Sequence, residues 1–400
     1  MKNIFIGPSV RSGGSLINRL FDGHPNVAAY PFELFLPMDK SLHYTLEKRG
    51  QRLNIQNYPA ISTADTQENI LEKILLNSDQ EKCLIGKHFK DGKLFAKTSG
   101  LNLHGGFDHK KFLSDLSESI GENRSVNEVY NSLHEMFFKN WDNGVHSGTM
   151  EYVVYHSGNG LMADVELYLS EFEDSYFIQP IRDVRGYLAS EKKKVFRQII
   201  GRGRIGSKIN WPDWMLKHYF GRYFESMLVN WMITVTRSVI LKKRLGDRYI
   251  IYRHEDLIRN PKMIMEKITK KIGMKFNDSL VNPTVAGVDW RGNSMFGLQS
   301  GVNPKLADIR DVFNPLEQEL IDKYCGGVLS YLSEFENKLV EFDNFNENCL
   351  FDYNLQSKYY KDREKTALYF ASMYERWKYN SIGSDIASAV KKQPRSYFLK

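Results

Sequence analysis

The chain is 400 residues long, 42% hydrophobic, 26% charged and 13% aromatic, which excludes a mostly disordered, collagen-like or coiled-coil protein. Its 55 basic against 48 acidic side chains leave a formal charge of +7, which suits an anionic small molecule, an acidic glycan, a membrane surface or nucleic acid alike. Three scattered cysteines, Cys83, Cys325 and Cys349, make neither a disulfide framework nor a zinc site, so a reducing compartment, the cytoplasm, is expected.

Short apolar runs, each followed by a helix-like stretch, succeed one another along the chain. Residues 3–7 predict a buried strand, 15–22 the helix after it, and 27–30 a second strand. Further strands are predicted at 93–97, 151–156, 176–181 and 248–252, with helices near 160–172, 184–198, 215–245 and 261–273. This alternation predicts an α/β fold, a central parallel sheet flanked by helices. The polar stretch from about 38 to 150 is expected as an insertion or lid within a main domain of residues 1–340, and 341–400 as a C-terminal helical extension with a basic tail. The N-terminal apolar run is too short for a signal peptide, and no stretch approaches the roughly 20 apolar residues that cross a bilayer. No transmembrane segment is therefore expected; peripheral membrane contact stays open.

The loop GPSVRSGGS, residues 7–15, joins the first strand to its helix. Glycines let such a turn aim its N–H groups at one point, and the helix N-terminus adds the positive end of a dipole, a geometry that holds phosphate. The nucleotide-hydrolase pattern GxxxxGK[ST] is not met: Pro8 and Gly14 stand where its first glycine and its lysine belong, and the basic residue is Arg11. An atypical P-loop kinase is thereby disfavoured. A strand–helix turn with no ligand is the plainer alternative.

The opening stretch, IFIGPSVRSGGSLINRLFDGHPNVAAYPFEL, resembles that of the sulfotransferases that use 3′-phosphoadenosine 5′-phosphosulfate (PAPS), the bacterial-type members above all. In that family an RSG[TS][TS]L loop cradles the 5′-phosphate. The resemblance places the cradle at Arg11, Ser12, Gly13, Gly14, Ser15 and Leu16. It also implies a P-loop-like nucleotide-binding sulfotransferase fold.

A second stretch, YFIQPIRDVRGYLAS over 176–190, puts Arg182 at a strand's carboxyl end, where open α/β sheets gather ligands. Ser190 lies eight residues on, about two helical turns, and the guanidinium and hydroxyl suit one phosphate. This resembles the family's 3′-phosphate site; the plainer alternative pairs Arg182 with a carboxylate. The stretch YRHEDLIRNP resembles the family's R-Y-E-D-L strand end with His254 in the tyrosine's place, Asp256 being a structural residue or helix cap. Farther on, NPTVAGVDWRGNSMF resembles a segment that closes over the nucleotide, which places Arg291 and Gly292 near the 3′-phosphate.

The resemblance implies an enzyme that transfers a sulfuryl group from PAPS to an acceptor hydroxyl, expected on a carbohydrate, and releases adenosine 3′,5′-bisphosphate. Arg11 is expected to steady the leaving phosphate. No metal is required, and no metal-ligand cluster is present in the sequence. A hydroxyl needs a general base, for which Glu33 is the first candidate and His156 the second. The family's Lys-Thr-Pro-type triplet falls on Ser157, Gly158 and Asn159, so its lysine is missing, with Lys97 a conceivable substitute. That gap keeps open a catalytically impaired, sulfotransferase-like nucleotide-binding protein. The run Lys192–Arg197 with Arg202 and Arg204 suits an anionic acceptor or a solvated helix face. No nucleic-acid-binding module is recognised, so no nucleic-acid partner is expected.

Overall fold

The computed structural model describes residues 1–8, 11–34, 38, 60–75, 89–90, 93–94, 106–121, 125–142, 149–156, 164–196, 213–290, 292, 301–302, 313 and 315–341. Five apolar segments build one parallel sheet: β1 Lys2–Ile6, β2 Val27–Glu33, β3 Tyr152–His156, β4 Tyr176–Ile181 and β5 Tyr249–Arg253. Their order is β2-β3-β1-β4-β5, and the expected α/β architecture holds. Because β1 is central, the chain leaves it toward one edge at β2 and later builds β4 and β5 on the other side. Its carboxyl end is thus the topological switch point, where such sheets take their ligands.

Alternation along β1 and β3 sends Phe5 and Tyr155 to one face, packed edge to face at 5.2 Å. There Phe5 meets Tyr168 and Phe172, at and beyond the helix Val165–Glu171. The helix Val126–Lys139 covers the same side: Tyr30 of β2 stacks on Phe137 at 4.8 Å, and its hydroxyl lies 2.9 Å from His134 Nδ1. A capping box of Ser125 and Glu128 fixes where that helix starts. This part of the 38–150 stretch therefore shares the core of the sheet. Burial holds His134 neutral, its pKa pushed down to about 3.

The opposite face carries Tyr152 and His156 and is covered by Gly14–Phe21 and Pro261–Ile272, the Tyr152 hydroxyl donating to Gly273 O at 3.2 Å. At the far edge runs the long helix Asp213–Leu245; Trp231 Nε1 donates to Arg182 O at 2.7 Å. The strand expected at 93–97 is not in this sheet. Lys93–Leu94 pairs antiparallel with Phe89–Lys90, and 95–97 lie outside the described residues. The segment expected as a C-terminal extension lies, from 342 onward, outside the described residues too.

The helices used below are α1 Gly14–Phe21, α2 Val184–Phe196, α3 His254–Arg259 and α4 Pro315–Ser333. Lys192 of α2, expected on a basic face, is instead buried against α4, its Nζ 2.7 and 2.8 Å from the Glu317 carboxylate oxygens and 5.0 Å from the Phe313 ring centroid. Burial lowers the Lys192 pKa to about 8 against the pull of Glu317. Both partners are nearly inaccessible, so Lys192→Met leaves an uncompensated buried carboxylate. Chemical denaturation is expected to show a loss of about 3–5 kcal/mol, much of it restored in Lys192→Met/Glu317→Leu.

Candidate active site

The loop after β1 is held from three sides. Gly13 caps α1 at φ 101°, where a side chain would sit 2.2 Å from His254 Nδ1, and a Cβ on Gly14 would sit 2.2 Å from Pro8 Cγ. Glycine is thus required at both positions. Arg11 has φ 65°, left-handed backbone that a non-glycine residue adopts only when its surroundings hold it there. Ser12 and Leu16 are buried, and Leu16 N bonds Gly13 O at 3.0 Å. The positive end of the α1 dipole lies at the switch point, which suits an anion there.

Arg182 is brought to this loop. It is buried at the end of β4, and its Nη1 donates to Arg11 O at 2.8 Å. The two expected anion sites are therefore neighbours. Among the described residues, the buried Arg182 Nε has no hydrogen-bond partner. Burial lowers the Arg182 pKa, with Glu255 and Asp183 opposing. The Glu255 carboxyl accepts from Asp183 N at 3.1 Å; burial pushes its pKa up to about 7 despite Arg182. Burial, and secondarily Arg182, push the His254 pKa well down, so a neutral imidazole underlies Gly13.

Ser190 lies half-buried on α2 and makes no side-chain hydrogen bond among the described residues. Gly292 has φ 77°, and Arg291 lies outside the described residues. The turn upstream of Gly292 is tied to the end of α1. Asp22 accepts from Thr284 Oγ1 at 2.7 Å, Ala286 N at 3.1 Å and Gly287 N at 3.0 Å. Asp256 is structural but no N-cap: it sits inside α3 and accepts from Asn337 N at 2.8 Å.

Both candidate bases meet beside the loop, because Glu33 of β2 and His156 of β3 are register partners. His156 Nε2 is 3.9 Å from Glu33 Oε1 and 3.4 Å from Ser15 Oγ. Burial, helped by Arg19, pushes the His156 pKa down to about 3, so at neutral pH the contact with Glu33 joins a neutral ring to a carboxyl that is 70% exposed. Arg19, which the sequence reading passed over, sets this corner. Wholly buried in α1, it donates to Tyr30 O at 3.1 Å and Pro31 O at 2.7 Å, across the irregularity in β2 just before Glu33. Its signal was an arginine between Leu16 and Leu20 on a helix whose other side chains are apolar or small. Lys97, residues 157–159 and residues 197–204 lie outside the described residues.

No family model matches the chain, and no curated protein does. Among solved structures it is similar to the sulfotransferase domain from the curacin biosynthetic pathway, at 16% identity over 82% of this chain and 98% of that one, TM-score 0.35. It is similar to the sulfotransferase domain of the Synechococcus PCC 7002 olefin synthase, at 16% identity over 82% and 96%, TM-score 0.37. A third is sulfotransferase STF1 from Mycobacterium tuberculosis H37Rv, at 11% identity over 70% and 69%, TM-score 0.30. All three are sulfotransferases. Overlaps of this size carry no argument for activity. Among the described residues no group of histidines, cysteines and carboxylates is placed to hold a metal ion, and no helix is long and apolar enough to cross a membrane.

Proposed function

We propose that the protein transfers a sulfuryl group from PAPS to an acceptor hydroxyl, on a carbohydrate or another hydroxyl compound, in the cytoplasm. One observation carries the reading: the guanidinium of Arg182, with a buried donor that no described residue uses, lies against the Arg11–Ser15 loop at the switch point. The donor set fits the nucleotide, since a loop N-terminal to a helix suits its 5′-side and a buried arginine its 3′-phosphate. Arg182 and Ser190 then hold the 3′-phosphate, and the segment through Arg291 and Gly292 closes beside them. The loop from Arg11 to Leu16 holds the 5′-side.

When bound, PAPS supplies the activated sulfuryl group and departs as adenosine 3′,5′-bisphosphate. Arg11 offsets charge on the leaving phosphate, and no metal is needed. Glu33 accepts the proton of the attacking hydroxyl, with His156 Nε2 beside it at 3.9 Å. The missing triplet lysine favours a second reading, a protein that binds the nucleotide without transfer, since Arg11 alone then faces the leaving group.

Calorimetric titration tests the nucleotide. Adenosine 3′,5′-bisphosphate is expected to bind at least about tenfold more tightly than ATP with magnesium, the worth of one charged hydrogen bond or more. Preference for ATP would remove both readings. Transfer of labelled sulfate from PAPS to a glycan panel then separates enzyme from binding protein.

A further inference from the structure

Arg11 is the loop's only basic side chain, and its aim is not left to the loop. Its Nε donates to Glu191 Oε2 at 2.9 Å. The two side chains are unlike in exposure: Arg11 is 26% accessible and Glu191 only 2%. The carboxylate is thus sunk in α2 while the guanidinium reaches out above it. Nε is the corner engaged in this pair, so the two terminal nitrogens, which form the flat fork that grips a phosphate, are left out of it. Arg182 pins the carbonyl of the same residue at 2.8 Å, and its backbone sits at φ 65°. Both tethers come from one strand–helix unit, the end of β4 and the α2 helix that follows it.

From this geometry we infer that Glu191 is a positioning residue: it anchors Arg11 by Nε so that the guanidinium's terminal nitrogens face the 5′-side anion of the nucleotide. The inference rests on the nucleotide reading above and adds a residue to it. A free arginine on a surface loop samples many rotamers and loses that freedom on binding. Held at one corner by a buried carboxylate, it is already ordered. Glutamine at 191 keeps the acceptor oxygen and loses the charge, which separates orientation from electrostatics.

The test is a double-mutant cycle read with two ligands. Adenosine 3′,5′-bisphosphate carries the 5′-phosphate; adenosine 3′-monophosphate lacks it and reports the rest of the site. Dissociation constants are measured by calorimetry for the unmodified protein, Glu191→Gln, Glu191→Ala, Arg11→Ala and Arg11→Ala/Glu191→Ala, with melting curves run on each. Glu191→Ala is expected to weaken the bisphosphate about tenfold, and Glu191→Gln about threefold, one charge-assisted hydrogen bond being at stake. The 3′-monophosphate should bind as before, and the double variant should bind the bisphosphate no worse than Arg11→Ala. Equal weakening of both ligands, or a Glu191→Ala loss that persists without Arg11, would mean a structural role and overturn the inference. Should Glu191→Ala fail to fold, Glu191→Gln decides by the same ratio. Bisphosphate binding untouched by either substitution overturns this inference alone. No bisphosphate binding by the unmodified protein overturns the nucleotide reading along with it.

Discussion

Arg182→Ala is expected to lower affinity for adenosine 3′,5′-bisphosphate about a hundredfold, while adenosine 5′-monophosphate, which has no 3′-phosphate, weakens only a few-fold. Two charge-assisted hydrogen bonds to a phosphate account for the first figure. The smaller second effect comes from the lost bond to Arg11 O, which loosens the loop without removing it. Arg182→Lys keeps the charge and loses the planar fork, so it should fall between. Equal weakening of the two nucleotides would place Arg182 outside the 3′-site.

The same substitution has a pH signature, because Arg182 is the positive charge that opposes the burial of Glu255. A carboxyl raised to about 7 in the folded protein, against an ordinary value near 4.5, binds a proton there that the unfolded chain releases. Its stabilising proton is fully present below about 4.5 and lost as pH rises through 7. Without Arg182 the carboxyl rises further and the loss continues to higher pH. Arg182→Ala should therefore cost more stability at pH 8 than at pH 6, read from denaturation midpoints. A deficit independent of pH would show that Glu255 does not feel the guanidinium.

The frame of this site was legible in the chain for a simple reason: strands buried on both faces must be apolar runs, and all five lie within a few residues of where such runs place them. Tyr176–Ile181 matches at both ends. Arg182 and the residue 7–15 loop were legible because chemistry at strand ends needs glycine, arginine and hydroxyl residues at short spacing. The partners were not. Glu191 is separated from Arg11 by 180 residues, and nothing local distinguishes a carboxylate that will be buried from one that will be solvated. Lys192, its neighbour, resembles an exposed basic residue until α4 brings Glu317 against it. Glu33 and His156 were separate candidates in the sequence, and only the pairing of β2 with β3 makes them one site.

That pairing leads to the largest expected effect, on rate. Glu33→Gln should lower kcat for sulfate transfer by about a hundred- to ten-thousandfold, the usual contribution of general-base catalysis, with little change in affinity for the bisphosphate. Glu33 is chosen over His156 on geometry and protonation together. Its carboxyl is 70% exposed and so open to an acceptor, whereas His156 is buried with only Nε2 directed at the loop side. A histidine held near 3 is a weak proton acceptor, and at 3.9 Å its neutral ring lies beside the Glu33 carboxyl without a hydrogen bond to it. His156→Ala should therefore slow transfer less, about ten- to a hundredfold, and Glu33→Gln/His156→Ala should be no slower than Glu33→Gln. Between pH 5 and 8 the kcat/KM of the unmodified enzyme should show no limb from His156, whose proton is already gone. A larger loss in His156→Ala than in Glu33→Gln, accompanied by a limb near pH 6, would exchange the two roles. Full activity in both variants would remove them from the chemistry altogether.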